Sequence, residues 1–276
     1  MSIQLSQALA ELRRRHGDAV IRLGSVLGGG EAWPTGLPSL DRRLTPGGIP
    51  IGRISLLSAA PPGTASGRLT LLQLLAAIAS RERTAVYLDL AGSLDPGYLA
   101  DLGAHLASVL VVTPPSGRLG DGLSMARRLV AAGATWLAVA LPGNGVRPVA
   151  AAAPATRVAD TGWERRLIGL AESVAVRRAV CLVAAARPPA ALRHAASLTI
   201  RCTAAGWHEV HGDVLGLRVR LTVEKSRVGA SGERVDLLLR YPRPFAAAEV
   251  VTRPVVVEIT GGEAEPATTR LRRVAG

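Results

Sequence analysis

Residues 54–90, ISLLSAAPPGTASGRLTLLQLLAAIASRERTAVYLDL, contain the pattern that decides the fold. Two apolar runs, Ile54–Ser58 and Thr84–Leu90, are separated by a loop rich in glycine and proline and by a helical pattern over Gly67–Ser80. An apolar run, a helix and a second apolar run predict two parallel strands joined by a right-handed crossover. This stretch therefore predicts an α/β fold.

The same alternation continues along the chain. Further strands are predicted at Val109–Val112, Trp136–Leu141 and Ala179–Ala184, and further helices at Pro96–Leu102, Gly120–Ala132 and Gly162–Val176. After Pro188 the sequence pattern changes to alternating apolar and polar residues without helices between them, which is typical of antiparallel edge strands. The predicted strands of this kind are Ser197–Cys202, Leu217–Val223 and Val235–Arg240. We expect a mostly parallel twisted sheet flanked by helices, with antiparallel edge strands.

Composition divides the chain into three parts. Residues 1–30 form an N-terminal helix and linker arm, in which Ile3, Leu5, Leu9 and Leu12 share one helical face and glycines 28–30 follow. Residues 31–241 form the core, and residues 242–276 form a basic tail rich in proline and alanine, with one short apolar run at Val255–Ile259. The free apolar face of the N-terminal helix favours docking on another protein or on a second copy.

The composition excludes several classes of protein. Hydrophobic residues make up 48% of the 276 residues but aromatic residues only 3%, so the core must consist of Ala, Val, Leu and Ile. We find neither a signal-peptide pattern nor an apolar stretch of the roughly 18 residues that a membrane span needs. Cys181 and Cys202 lie in apolar segments and are interpreted as buried, reduced thiols. We expect a cytoplasmic protein without membrane contact, with association with the nucleoid left open.

The net charge of +12 indicates a polyanionic partner. Lys225 is the only lysine among 33 basic residues. A genome rich in G and C explains arginine in place of lysine, but it does not explain an excess of bases over acids. Neutralising phosphates releases counterions and strengthens binding, so nucleic acid is the favoured partner. A basic surface that is merely solvated is the alternative.

Several segments resemble the RecA recombinase family, and they occur in the same order. The most specific are Thr35–Asp41 (TGLPSLD) and Pro46–Ile54 (PGGIPIGRI), which are similar to the lead-in to the RecA phosphate loop. Weaker matches follow the same order: Leu12–Ser25, Asp89 with Ser93–Pro96 and Tyr98, Ala126–Val139, Ala191–Ile200 and Val223–Val228. They span about residues 5–241, and the separate C-terminal domain of RecA is not recognisable. The resemblance implies a RecA-like phosphate-loop core.

The phosphate loop itself is altered. Residues 62–69, PGTASGRL, stand where the family has G-x-x-x-x-G-K-[ST]. Arg68 replaces the lysine that contacts the β- and γ-phosphates, and Leu69 replaces the hydroxyl that binds magnesium. By resemblance, the residues of this degenerate nucleotide site are Gly63, Thr64, Ser66, Gly67, Arg68 and Thr70.

The acidic residues that the family uses for hydrolysis are also replaced. Leu141 stands at the magnesium-site aspartate, Ala91 at the catalytic glutamate, and Ala184–Ala186 at the γ-phosphate sensor. We therefore expect no ATP hydrolysis, no metal site and no required cofactor. Asp95 and Tyr98 match the adenine-contacting positions of RecA, which leaves weak ATP or ADP binding open. Alternatively, Asp95 only caps the helix that Pro96 begins.

The resemblance also implies interface and DNA residues. Lys225 and Arg227 match the cationic pair that reaches the ATP of the neighbouring subunit in a RecA filament. For DNA, the family's two loops correspond to residues 142–161 and to a short turn near Pro188, and the candidate contacts are Arg147, Arg157, Arg187 and Arg193. Each of these four is equally explained as a solvated surface arginine, and any binding is expected to be independent of sequence.

The remaining aromatic residues and histidines carry no further site. The four tryptophans, Trp33, Trp136, Trp163 and Trp207, are interpreted as packing residues rather than as a base-stacking platform. His208 and His211 resemble a metal-ligand pair but lack a nearby third ligand.

A RecA-like core with a degenerate loop is similar to the ImuA group, which implies a non-catalytic accessory protein of DNA repair and the SOS response. Such a protein binds RecA, or a RecA-like filament, and an error-prone polymerase-like protein during translesion synthesis, with single-stranded DNA as a further partner. Two alternatives stay open. One is a divergent DNA-dependent ATPase or recombinase that uses Arg68, and the other is a cell-division regulator induced by DNA damage.

Overall fold

The structure is a computed structural model that describes residue 14, residues 30–60, 65–114, 119–142 and 162–240, and the backbone of residues 256–259. In chain order the elements are β1 (Ala32–Trp33), α1 (Pro38–Asp41), β2 (Ile49–Pro50), β3 (Arg53–Ala59), α2 (Arg68–Ser80), β4 (Ala85–Asp89), α3 (Pro96–Asp101), a 3-10 turn (Leu106–Ser108), β5 (Val109–Val112), α4 (Leu119–Ala131), β6 (Trp136–Ala140), α5 (Trp163–Arg177), β7 (Val180–Ala185), α6 (Ala190–Ala195), β8 (Leu198–Val210), β9 (Asp213–Ser226), β10 (Arg234–Arg240) and β11 (Val256–Ile259). The predicted N-terminal helix and the rest of the tail lie outside the described residues.

The described strands form a two-stranded ribbon, β1–β2, and one sheet of nine strands in the order β11-β10-β9-β8-β3-β7-β6-β4-β5. Six adjacent strands run parallel to one another, in the order β5, β4, β6, β7, β3 and β8. The remaining pairs, β8–β9, β9–β10 and β10–β11, are antiparallel. The carboxyl ends of the parallel strands therefore meet at one edge of the sheet, which we call the carboxyl edge.

Two apolar layers cover the parallel strands, as the α/β prediction requires. Alternate residues of each strand face opposite sides, so Leu57 packs under α2 while Leu56 packs under α4 and α5. Trp136 is fully buried and its ring meets that of Trp33 edge-on, with centroids 5.6 Å apart. The two apolar layers confirm the fold class. Aliphatic side chains make up most of both layers, so a chain with few aromatic residues can still fill its core.

A buried network fixes the segment that leads into β3. The N–H and hydroxyl of Thr35 both donate to Oδ1 of Asp41, at 2.9 and 2.7 Å, and the Thr35 hydroxyl accepts from the N–H of Leu37. Glycine is required at Gly48, because a Cβ there would collide with the carbonyl oxygen of Trp33. The hydrogen bonds within the motif Thr35–Asp41 thus hold the β1–β2 ribbon in place beside the core.

The spans predicted for the parallel strands and helices are confirmed to within one residue at most ends. We predicted Ser197–Cys202 as part of an antiparallel edge strand. The prediction was wrong for one of its two neighbours, because β8 pairs parallel with β3 and antiparallel only with β9. The β8–β9 hairpin is also longer than expected and turns at His211 and Gly212. Register shifts after Thr199, Ala204 and His208 interrupt the simple alternation from which strand length was estimated.

Both cysteines are buried and unpaired, as predicted. Burial raises the pKa of the Cys181 and Cys202 thiols to about 12, so both are neutral at physiological pH. None of the helices in the described part of the chain is long and apolar enough to cross a membrane.

Candidate functional site

At the start of α2, Gly67 has the left-handed conformation. Gly67 precedes the helix with a φ of 69°, and a Cβ there would lie 2.5 Å from Cγ2 of Val219. Glycine is therefore required by conformation and by space. The Ser66 side chain is buried, and its hydroxyl has no hydrogen-bond partner in the described part of the chain. The helix start, with its unsatisfied amides, can still accept an anion, while Gly63 and Thr64 lie outside the described residues.

Arg68 brings a partly buried positive charge to the same point. Burial lowers the pKa of its guanidinium, while the nearby Cys202 and Tyr87 side chains act in the opposite direction. Its Nε atom is buried without a hydrogen-bond partner among the described residues. A buried guanidinium nitrogen without a hydrogen-bond partner is stabilised by an incoming anion.

Apolar side chains occupy the positions that the RecA resemblance assigns to magnesium binding and hydrolysis. Leu69 packs against the core beneath α2, and Thr70, the adjacent hydroxyl, is partly buried. At the ends of β6 and β4, Leu141 and Ala91 are both buried in apolar clusters. Ala184, Ala185 and Ala186, at the end of β7, are buried as well. Within the described ranges, no group of three or more His, Cys, Asp or Glu side chains could hold a metal ion.

Asp89, the acid that does remain at the carboxyl edge, serves the backbone. Its Oδ1 accepts from the N–H of Ala91 at 3.1 Å, and its Oδ2 accepts from the N–H groups of Ser93 and Leu94, both at 2.9 Å. The side chain is 5% exposed. The carboxylate therefore shapes the loop after β4, and its lone pairs are already directed at three amides.

Asp95 and Tyr98 lie on the next helix. Oδ1 of Asp95 accepts from the N–H groups of Gly97 and Tyr98 at 2.8 and 3.2 Å, which is the N-cap geometry of α3. Gln73 on α2 ties this loop to the phosphate-loop helix through the carbonyl of Ser93 and the N–H of Asp95. The helix-cap interpretation is thus realised in the structure, and adenine contact stays a prediction.

Lys225 and Arg227 are brought together at the end of α6. Nζ of Lys225 donates to the carbonyl oxygens of Arg193 and His194 at 2.9 and 3.0 Å, and the Arg227 guanidinium donates to the same His194 carbonyl at 2.7 Å. Burial, and then the charge of Arg227, lower the pKa of Lys225. Both cations cap the carbonyl end of α6, so reaching a neighbour's ATP, which stays a prediction, would require them to exchange these carbonyls.

The predicted DNA residues separate into two groups. Arg187 and Arg193 are exposed at the two ends of the short turn that contains α6. Arg147 and Arg157 lie outside the described residues. The structure therefore brings one of the four, Arg193, close to the Lys225 and Arg227 pair, because Lys225 donates to its carbonyl oxygen.

A basic surface that we did not identify from the sequence covers the other half of the sheet. Opposite their apolar side, β8, β9 and β10 present Arg201, Arg218, Arg220, Arg234 and Arg240. Thr222 is paired with both Arg201 and Arg234, so the arginines form adjacent rows. We call this surface the arginine face. The alternation of arginine with apolar residues around Val219 was visible in the sequence, but we used it only as a strand signal.

Two acids on the arginine face leave its net charge positive. Asp236 is held by a two-point contact with Arg220, with N–O distances of 2.8 and 2.9 Å. That hydrogen bonding lowers the pKa of Asp236 and raises the pKa of Arg220. Glu224 lies 3.2 Å from Arg201. Five arginines against two acids give this surface a net positive charge, as in surfaces that track a phosphate backbone. Its end at Arg240 is less open, because the Nε atom of Arg240 is buried and Leu238 beside it is 6% exposed.

Trp207 corrects one sequence interpretation. We expected it to be a packing residue, but its side chain is 52% exposed on the part of β8 that extends past the carboxyl edge. Its cross-strand partner is Leu217, which is buried. Trp33 and Trp136 are buried as expected, and Trp163 packs partly against the core.

Comparison with known proteins agrees with the predicted RecA-like core. The family model of the RecA N-terminal domain matches residues 3–178. Protein RecA of Thioalkalivibrio sulfidiphilus is 34% identical over 177 residues, which are 60% of this chain and 48% of that protein. Protein RecA of Lactobacillus acidophilus is 27% identical over 265 residues, which are 86% of this chain and 70% of that protein. The match to the first of these relatives thus spans about half of its length.

A solved structure shows the same fold. The KaiC-like protein of the archaeon Pyrococcus horikoshii superposes with a TM-score of 0.53 at 17% identity, covering 77% of this chain and 100% of that chain. At this identity the likeness concerns the arrangement of strands and helices alone.

Replacing Asp89 tests its structural role. In Asp89→Asn one oxygen becomes an NH2 group, so at least one of the three amide donors loses its acceptor. We expect the free energy of unfolding in urea to fall by about 1–3 kcal/mol. Asp101→Asn, an exposed acid at the end of α3, is the matched control and should change it by less than about 0.5 kcal/mol. Equal stability of the Asp89→Asn and wild-type proteins would contradict this role.

Proposed function

The chain belongs to the RecA family, and on that premise we propose that it is a non-catalytic accessory protein of DNA repair. In this proposal it binds single-stranded DNA and docks on RecA, or on a RecA-like filament, in the cytoplasm at the nucleoid. The observation that carries the proposal is the apolar carboxyl edge, where Leu69, Leu141 and Ala91 pack into the core.

Phosphoryl transfer depends on metal charge and on an oriented water. A divalent ion bridges the phosphate oxygens and neutralises the developing charge, and a positioned acid or amide activates the nucleophile. Leucine and alanine at these positions supply neither function. Asp89 does not replace them, because its oxygens bind the amides of Ala91, Ser93 and Leu94.

Nucleotide binding without hydrolysis is compatible with the remaining groups. Gly67 opens a helix whose first amides have no side-chain cap, Ser66 has a buried hydroxyl, and Arg68 supplies positive charge. We infer weak binding of ATP or ADP that does not depend on magnesium. The nucleotide would then act as a ligand, and no cofactor is required for the accessory role.

The arginine face supports DNA binding. Its five arginines lie on three adjacent strands, and Arg187 and Arg193 add exposed charge at the turn around α6. Binding of this kind is electrostatic, weakens with salt and does not read sequence.

The open edge at β5 supports docking on a RecA-like partner. β5 is the last strand of the sheet, and Leu106, Leu110 and Val111 around it are 47%, 46% and 43% exposed. An edge strand with apolar side chains accepts a strand from another chain. In this proposal the added strand comes from RecA or from a second copy, and the N-terminal helix, with its apolar face, contacts RecA or a polymerase-like partner. Membership in the ImuA group would make that partner an error-prone polymerase in translesion synthesis.

ATP turnover distinguishes this proposal from a divergent ATPase. We expect the rate of phosphate release with magnesium and single-stranded DNA to equal the buffer background, both in the wild type and in Arg68→Ala. Nucleotide affinity, measured by equilibrium binding, should be unchanged by EDTA and about tenfold weaker in Arg68→Ala, which loses a charge-assisted contact. Arg53→Ala is the control. DNA-stimulated turnover that disappears in Arg68→Ala would establish the ATPase alternative.

Salt titration tests the arginine face. Each phosphate contact with single-stranded DNA adds about 0.7 to the slope of log K against log salt. Arg218→Gln together with Arg234→Gln should weaken binding and lower the slope by about 1.4, as measured by fluorescence anisotropy. The control pair Arg53→Gln and Arg165→Gln carries the same charge change outside this face. If both pairs have equal slopes, the DNA does not bind at the arginine face.

The RecA partnership is tested by the effect of this protein on RecA itself. Adding the wild type should change RecA ATPase activity and filament length, and Lys225→Ala should lose most of that effect because it removes the cation offered to a neighbouring nucleotide. Lys225→Arg keeps the charge and should retain the effect, which separates the charge from the packing of α6. No effect of the wild type, or equal effects of wild type and Lys225→Ala, would refute this role.

A further inference from the structure

Trp207 is the one exposed aromatic side chain in the part of the chain that the structure describes. It is 52% exposed, whereas the other described aromatic residues are buried or partly buried. Aromatic residues make up only 3% of the sequence, and most of the described ones pack in the core. An exposed indole keeps a large apolar ring in water, which is typical of a residue that contacts a ligand or a partner.

The indole lies where β8 leaves the parallel sheet. Pairing of β8 with β3 ends at Cys202, and beyond that residue β8 pairs only with β9 among the described strands. Residues 204–206, which are Ala, Ala and Gly, are exposed there. A register shift between Ala204 and Gly206 marks a bulge, and bulges increase the local twist and redirect neighbouring side chains. The edge of β8 next to Trp207 is therefore exposed and lined by small side chains.

An arginine of the arginine face lies beside Trp207. Trp207 is paired with Leu217, and the adjacent pair joins Gly206 to the exposed Arg218. Alternate residues of a strand point to opposite sides, so the indole and Arg218 lie on opposite sides of the β8–β9 ribbon. The small residues 204–206 form the edge between these two sides. A flexible single strand of DNA can pass around such an edge, with its phosphates on one side and a base on the other.

Glu209 and Asp213 limit what can bind at the tip of the hairpin. Both are exposed, and the sequence contains neither lysine nor arginine between Arg201 and Arg218. These carboxylates repel phosphate groups, whereas a nucleobase is uncharged. The hairpin therefore favours contact with a base at Trp207 and leaves the phosphates to the arginines.

We propose that the indole of Trp207 stacks on a base of single-stranded DNA whose phosphates lie on the arginine face. The inference rests on the proposed DNA binding and adds a second kind of contact to it. Stacking tolerates any base, because every base has a π face, so the contact does not read sequence. It requires an unpaired base that can leave its own stack, and it therefore selects single strands over duplex DNA.

Salt titration separates stacking from the phosphate contacts. Stacking on a base releases no counterions, so Trp207→Ala should weaken binding of single-stranded DNA about tenfold at every salt concentration and leave the slope of log K against log salt unchanged. Trp207→Phe keeps an aromatic ring and should retain most of the affinity. Val214→Ala is the matched control, because Val214 is 48% exposed on the same hairpin and its replacement should leave the affinity unchanged.

An abasic strand tests whether the indole contacts a base. An oligonucleotide of the same length that has sugars and phosphates but no bases keeps the phosphate contacts, so its affinity should be the same for the wild type and for Trp207→Ala. Tryptophan fluorescence provides a second measurement. The normal oligonucleotide should quench the wild type, and Trp207→Phe should lose most of that quenching, because Trp33 and Trp136 are buried. Circular dichroism should show both variants folded.

Three results would overturn the proposal. The first is equal affinity of the wild type and Trp207→Ala for the normal strand, and the second is an equal loss of affinity for the abasic strand. The third is equal quenching by free deoxynucleoside monophosphates, which would make a nucleotide the source of the base. In each case DNA binding with a salt-dependent slope would leave the proposed function standing, whereas a wild type that binds no single-stranded DNA would refute both.

Discussion

Apolar packing at the carboxyl edge of the parallel sheet is the constraint on which the functional interpretation depends. Leu69 is partly buried and packs against the core below α2, and Leu141 is buried in the core below α4 and α5. Oxygen ligands at these two positions would have to leave water and stay hydrogen-bonded, which a leucine avoids. The parallel sheet is thus that of a RecA-family fold, and apolar side chains stand at the two positions that the resemblance assigns to a metal.

The polar side chains that surround the carboxyl edge have structural roles. Asp89 directs its carboxylate at the amides of the following loop, and Asp95 caps α3. Gln73 links the loop between them to α2 through the carbonyl of Ser93 and the N–H of Asp95. Arg68 and Arg240 each have a buried Nε without a hydrogen-bond partner among the described residues. Among the described residues a second group of positive charges lies on the arginine face, so these charges are separate from the loop that the family uses for ATP.

The sequence was sufficient for the parallel half of the fold and insufficient for the rest. Apolar runs that alternate with helical periods determine βαβ units locally, so β3, β4, β6 and β7 could be located to within a residue or so. The pairing of β8 with β3 is non-local, and no period in the sequence specifies it. Trp207 was misassigned for a related reason, because burial depends on whether a neighbouring strand continues beside it. The contacts of Lys225 with Arg193 and His194, about thirty positions away, are equally invisible in a linear pattern.

The lone lysine has a practical consequence. Lys225 carries the only side-chain amine in the sequence, so reagents that acylate amines will modify one known side chain at the end of α6. Its lowered pKa increases the uncharged, nucleophilic fraction of that amine at neutral pH. The two carbonyl groups that hold it also shield it from the reagent. The rate of Lys225 acylation therefore reports how often its hydrogen bonds between β9 and α6 break, and it can be compared with and without an added ligand.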